Sequence, residues 1–134
     1  MQCDIGFYPI LHACFVFFDK RLIRPGDAAL FYHLEGIGEQ AVRVHDQPDA
    51  GLWELRGAVK VHTFSSVMCW VACDRLAKIA VQLKLADRAR EWRARADKIH
   101  GVICARAWSK RRGSFVATFD GNALDASLLL MHEL

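Results

Sequence analysis

The sequence predicts an all-α fold made of helical hairpins, and three observations carry that expectation. Segments apolar nearly all round alternate with segments holding one apolar stripe at helical spacing. Turn signals separate the members of each pair. Strand character is confined to one short stretch between Ser109 and Gly121.

The first pair begins with about Ile10–Lys20, where apolar residues leave almost no polar face. Pro25-Gly26 turns the chain and Asp27 is placed to cap the next helix, which extends to about Val44. Along it Phe31, Leu34, Ile37 (or Gly38), Ala41 and Val44 recur at helical spacing. Gly36 and Gly38 should each weaken it by about 1 kcal/mol relative to alanine. The second pair begins with about Phe64–Leu83, apolar all round, with Thr63 or Ser65 as its cap. A charged helix follows Leu85-Ala86-Asp87 and runs to about Ala107. Its stripe is Trp92, Ala96, Ile99 and Ile103, and Glu91–Arg95 and Arg93–Asp97 are i,i+4 pairs on its wet side. An all-round apolar helix followed by an amphipathic one implies inner helices wrapped by outer ones.

Two segments interrupt this rhythm. Residues Gln47–His62 hold Pro48, Gly51 and Gly57 and read as a long loop. Ser109–Gly121 reads as a β-hairpin turning at Arg111-Arg112-Gly113. Leu124-Asp125-Ala126-Ser127 then opens an apolar run, Leu128–Met131, that would start a third inner helix.

Composition narrows the function classes. The 134 residues set an expectation of one domain, and 53% hydrophobic with 25% charged residues describes a globular chain. A net charge of +3 is too mild to imply a polyanionic partner. Ten basic and three acidic residues lie between Lys84 and Arg112, but no aromatics interleave them on one face. A solvated outer helix explains them better than a nucleic-acid surface. Ile5–Phe18 is shorter than a membrane span and lacks the flanks of a signal peptide, so neither membrane nor export is expected. The scattered Cys3, Cys14, Cys69, Cys73 and Cys104 form no CxxC pair and read as reduced small hydrophobes in a cytoplasmic protein. The six histidines show no ligand spacing, so no metal and no cofactor are expected.

The chemistry concentrates in Asp49-Ala50-Gly51-Leu52-Trp53-Glu54-Leu55-Arg56-Gly57. A carboxyl beside a large apolar ring is pushed toward its neutral form, as a general acid near neutral pH requires. The Trp53 face can stack on a sugar ring. The residues alone leave another reading open, in which Trp53 packs into the loop and Glu54 pairs with Arg56 or Arg43.

These residues, with the block His62-Thr63-Phe64-Ser65-Ser66-Val67-Met68-Cys69-Trp70-Val71-Ala72-Cys73-Asp74-Arg75, carry a family resemblance. So do Trp92-Arg93, Ile99-His100, Gly113-Ser114-Phe115-Val116 and Leu124-Asp125-Ala126-Ser127-Leu128-Leu129. In order and spacing the sequence resembles glycoside hydrolase family 15, the glucoamylase and trehalase-like family in its bacterial form, from about Gln2 onward. The resemblance implies an (α/α)6 toroid, of which residues 1–134 would form an incomplete part, without the family's N-terminal β-sandwich. It implies inverting hydrolysis of α-glucosidic bonds, in maltooligosaccharides or trehalose, by two carboxyl groups and no metal. Glu54 maps onto the family's general acid. The general base lies further C-terminal in the family than this segment reaches, so the chain alone is expected to be inactive. Trp53, Arg56, Asp4 and Asp125 match positions near the sugar. Arg56 either holds a glucose hydroxyl, orients Glu54 or forms a structural ion pair, and Asp125 is either a substrate ligand or a helix N-cap.

The sequence departs from the family in two places. Gln2 and Asp4 match the start of a Gln-x-Asp-x-Tyr-Gly pattern, but Gly6-Phe7-Tyr8-Pro9 replaces its continuation. Many relatives carry lysine where Ser66 stands. Asp74-Arg75 reads as a buried structural pair, and His62 as a loop-lining residue or a polar cap. Apolar inner helices in an open toroid would leave faces for self-association. The alternative to an enzyme is a non-enzymatic helical remnant, or a module that completes a toroid with another chain.

Overall fold

The structure, a computed structural model, describes residues 8–51 and 59–134. Four helices follow in order: α1 (Tyr8–Phe18), α2 (Ala28–Val44), α3 (Thr63–Gln82) and α4 (Ala86–Ala107). A two-stranded antiparallel sheet, β1 (Trp108–Ser109) with β2 (Ser114–Phe115), comes next, and a 3-10 helix spans Ala126–Glu133. The all-α expectation and the small hairpin are both met.

Helix α3 is the centre, with α1, α2, α4 and the 3-10 helix all packed against it. It buries residues around its whole circumference, including Met68, Cys69, Cys73, Leu76 and Ile79. That is the inner helix its sequence describes. Helix α4 buries Trp92, Ala96, Ile99 and Ile103, the predicted stripe, together with Ala107. Its arginines turn to carboxylates. Arg95 bonds Glu39 at 2.5 Å and Glu91 at 2.6 Å, Arg88 bonds Glu35 at 2.5 Å, and Arg106 bonds Asp120 at 2.6 Å. The expected Arg93–Asp97 contact is long, 3.9 Å, because Arg93 reaches Asp74 at 2.8 Å.

In α2 the buried positions are Phe31, Leu34, Gly38 and Ala41. Gly38 rather than Ile37 faces the core, for a steric reason. A Cβ there would lie 2.3 Å from a Leu76 methyl and 2.7 Å from the Trp92 ring. The missing side chain lets α2 approach both α3 and α4, and Trp92 Nε1 donates to Glu35 on α2 at 2.6 Å. Asp27 caps α2 as expected, accepting from Leu30 N at 2.9 Å.

Three expectations need correction. Helix α1, whose sequence leaves almost no polar face and so implies an inner helix, buries only Ile10, Cys14 and Phe17 and leaves Phe15 71% exposed. It packs mainly on α3, and among the described residues no element covers its other face. Neither Thr63 nor Ser65 caps α3. The N-cap position is His62, without a side-chain cap bond; Thr63 Oγ1 donates to Val116 O at 2.6 Å and Thr63 N donates to Ala117 O at 2.9 Å. The hairpin is also shorter than expected. Gly113, at φ +64°, closes its turn, but after Phe115 the chain crosses to the residues preceding α3. Phe119 N donates to Val61 O at 2.9 Å, and Thr118 pairs with His62. The final apolar run forms a 3-10 helix of eight residues, longer than such helices usually are.

Among the described residues no helix is long and apolar enough to cross a membrane. Cys14, Cys69, Cys73 and Cys104 are free thiols, and burial pushes the Cys73 thiol up to about 12.

Candidate functional site

The loop between α2 and α3 carries the predicted chemistry. Glu54, Trp53, Arg56 and Asp4 lie outside the described residues, but both roots of the loop are described. Asp49 and Lys60 form an antiparallel bridge, with Asp49 N donating to Lys60 O at 2.9 Å and Lys60 N to Asp49 O at 3.4 Å. Glu54 therefore belongs by sequence to a loop closed at its base. The descending root continues into Val61, His62 and Thr63, which are held by Phe119, Thr118, Ala117 and Val116. One short crossing segment thus ties the loop to the end of α4 and to the start of α3.

The ascending root is fixed by the side chain of Asp49, which is 3% exposed. Its Oδ1 accepts from Gly51 N at 3.1 Å, an Asx turn that leaves Gly51 at φ +71°. Gly51 abuts the imidazole of His62, so that the two roots meet. Asp49 Oδ2 is buried and has no hydrogen-bond partner among the described residues. A buried polar atom left without a partner costs about 1–3 kcal/mol, so such atoms call for an explanation. In the sequence Asp49 stands within the motif with no role of its own. The Asp-x-Gly spacing was the available signal, since aspartate readily bonds the backbone two residues on.

Ser66 lies in the first turn of α3. It is buried, and its hydroxyl donates to His45 O at 2.5 Å, joining the start of α3 to the end of α2. Asp125 lies elsewhere, at the N-cap of the 3-10 helix, accepting from Ser127 N at 2.8 Å. It sits on the rim of a groove of ≈ 690 Å³ whose other walls include Phe115, Leu124, Leu128, Leu129 and Met131. That lining is mainly apolar, with Ser114, Asp125 and His132 as its polar members.

Asp74 is the buried structural residue expected. Burial alone would raise its pKa, but hydrogen bonds from Lys78 and Arg93 outweigh that and hold it below the usual carboxyl value. Arg75 bonds it at 2.5 Å and also donates to Leu134 O at 2.5 Å, linking α3 to the end of the 3-10 helix. Among the described residues no group of three or more His, Cys, Asp or Glu is placed to hold a metal ion.

Comparison with known proteins gives this geometry its context. Residues 40–134, from the last turn of α2 through the loop to the 3-10 helix, match the glycosyl hydrolases family 15. The chain is 41% identical over 102 residues to a trehalase of Mycolicibacterium smegmatis, covering 76% of this chain and 15% of that protein. It is 44% identical over 93 residues to a trehalase of Mycobacterium tuberculosis, covering 69% of this chain and 14% of that protein. Trehalase 2 of Sulfolobus acidocaldarius is 29% identical over 132 residues, 98% of this chain and 22% of that protein. The chain thus spans less than a quarter of the length of each of these relatives. No solved structure matches it significantly. With the family match extending over most of its length, including the loop and both of its roots, the chain belongs to glycosyl hydrolase family 15.

Proposed function

We propose that this chain is part of the catalytic domain of an inverting α-glucoside hydrolase of trehalase type, with Glu54 as its general acid. The observation that carries the proposal is the antiparallel bridge of Asp49 to Lys60 in a family 15 chain, and Trp53-Glu54 falls between these two residues in sequence. Trp53 supplies an apolar ring beside the carboxyl, which favours the protonated acid. Glu54 then donates its proton to the glycosidic oxygen as the bond to the anomeric carbon breaks. Water attacks that carbon from the opposite face and loses its proton to a second carboxylate, about 6.5–9.5 Å from the first. We assign that base to polypeptide beyond this segment, in keeping with the 14–15% of the mycobacterial trehalases that the chain spans. Trp53, Arg56, Asp4 and Asp125 are the proposed sugar contacts. The α1–α2 and α3–α4 hairpins, with α3 inside and α4 outside, are proposed as part of an (α/α)6 toroid. Four free thiols among the described cysteines agree with a cytoplasmic setting.

The test is hydrolysis of trehalose and of maltooligosaccharides by this segment joined to the polypeptide that carries the base, followed by proton NMR of the anomeric signals. Turnover that yields β-glucose from the attacked ring and disappears in Glu54→Gln supports the reading. A second reading, a non-enzymatic module completed by another chain, is favoured by the apolar groove around Leu128 and Leu129. Absence of hydrolysis together with concentration-dependent association supports that one.

A further inference from the structure

We infer that His100, Cys104 and Met131 form a binding site for a soft, thiophilic cation of the Cu+ class. The inference is independent of the reading of Glu54. His100 and Cys104 stand one helical turn apart on α4, where side chains at i and i+4 meet. The Cys104 sulfur lies 3.7 Å from His100 Nε2 and 3.9 Å from Nδ1. An ion with three ligands, about 2.3 Å from sulfur and about 2.0 Å from nitrogen, holds those two donors about 3.7 Å apart at a trigonal angle. The pair is therefore already at chelating distance. Both residues line a pocket of about 160 Å³ that Met131 of the 3-10 helix also lines, together with Trp70 and Phe115. Thiolate, imidazole and thioether are the donors that select Cu+, and the pocket has no carboxylate to hold magnesium or calcium. The Trp70 ring packs on the His100 ring, with centroids 5.8 Å apart, and so steadies the imidazole. Cys104 is exposed whereas Cys14, Cys69 and Cys73 are buried, so among these thiols it is the one that an ion in solution reaches. Charge works in the same direction. Cu+ replaces the thiol proton, which passes to solvent, and the resulting ion–thiolate pair carries no net charge into a mainly apolar pocket. A thiol–imidazole hydrogen bond accounts for two of the donors; the thioether on the same pocket is what points to a soft ion.

The test is anaerobic titration of the full chain with Cu+ alone, in competition with a Cu+-chelating dye. The chain carrying Cys3→Ser serves as the reference, so that the thiol measured is Cys104. A single Cu+ per chain is expected, with thiolate-to-copper charge-transfer absorption and shifts of the His100 ring and Met131 methyl signals in NMR. Cys104→Ser should weaken binding at least about 100-fold and abolish the absorption, and His100→Gln should weaken it roughly tenfold. Met131→Leu should weaken Cu+ binding roughly tenfold but leave Zn2+ affinity within about twofold, because zinc takes nitrogen, thiolate and carboxylate ligands rather than thioethers. Circular dichroism melts report whether each variant is folded. Should Met131→Leu not fold, the Met131 methyl shift in the reference chain decides its part alone. Absence of saturable Cu+ binding overturns the inference, as does binding that survives Cys104→Ser or His100→Gln undiminished. Equal losses of Cu+ and Zn2+ affinity in Met131→Leu, or a Met131 methyl that Cu+ leaves unmoved, overturn it as well.

Discussion

Gly51 and His62 touch across the base of the loop between α2 and α3, so closely that a Cβ on Gly51 would lie 2.8 Å from two atoms of the imidazole. Gly51 also stands at φ +71°, where an L side chain is strained. Both effects oppose a side chain. Gly51→Ala should destabilise the fold by about 1–3 kcal/mol and displace the His62 ring. Denaturant titration and the His62 proton shifts measure the two effects; an unchanged midpoint with an unmoved ring would disprove the contact.

Gly36 and Gly38 lie two residues apart on α2 and should respond oppositely to alanine. Nothing lies within 4 Å of a Cβ at Gly36, so Gly36→Ala should stabilise the protein by up to about 1 kcal/mol. At Gly38 the same change meets Leu76 and Trp92, and should cost about 1–3 kcal/mol. Thermal melts of the two variants would show shifts of opposite sign.

Lys84 ends α3 at φ +61°, in the position a glycine commonly takes. Leu85 N donates to Ala80 O at 2.9 Å around it, the bond that turns the chain from α3 into α4. Lys84→Gly should therefore keep the turn and relieve its strain, raising stability by about 1 kcal/mol. A lowered melting temperature would contradict this account.

Asp74 should make the fold acid-sensitive. Its pKa in the folded chain lies below the usual value, with the hydrogen bonds of Lys78 and Arg93 outweighing burial. The unfolded state then takes up the proton first as the pH falls. The Asp74 contribution is fully present above the unfolded pKa of about 3.9 and is lost as pH falls through the lower, folded value. Asp74→Asn should cost about 1–3 kcal/mol at pH 7 and flatten the stability profile below pH 4. Equal acid slopes in wild type and variant would rule the residue out as a source of the sensitivity.

The sequence by itself determined the roles of α3 and α4. Trp92, Ala96, Ile99 and Ile103 form the buried stripe of α4 because helical periodicity is local and survives packing. The all-round apolar α3 lies at the centre for the same reason, because it has no polar face to turn to water. The family was also legible, since its motifs are residue patterns. Only the tertiary structure decided which position of α2 meets its neighbours, and Gly38 is chosen over Ile37 because Leu76 and Trp92 fill the space. It also decided that residues 117–119 leave the hairpin and pair with 61–63, replacing the expected cap of α3 with backbone bonds. The foot of the loop between α2 and α3 was settled in the same way, by Asp49, Gly51, Lys60 and His62 meeting at its base. Contacts between segments distant in sequence depend on the shape of the space between helices, and no periodicity in the chain encodes that shape.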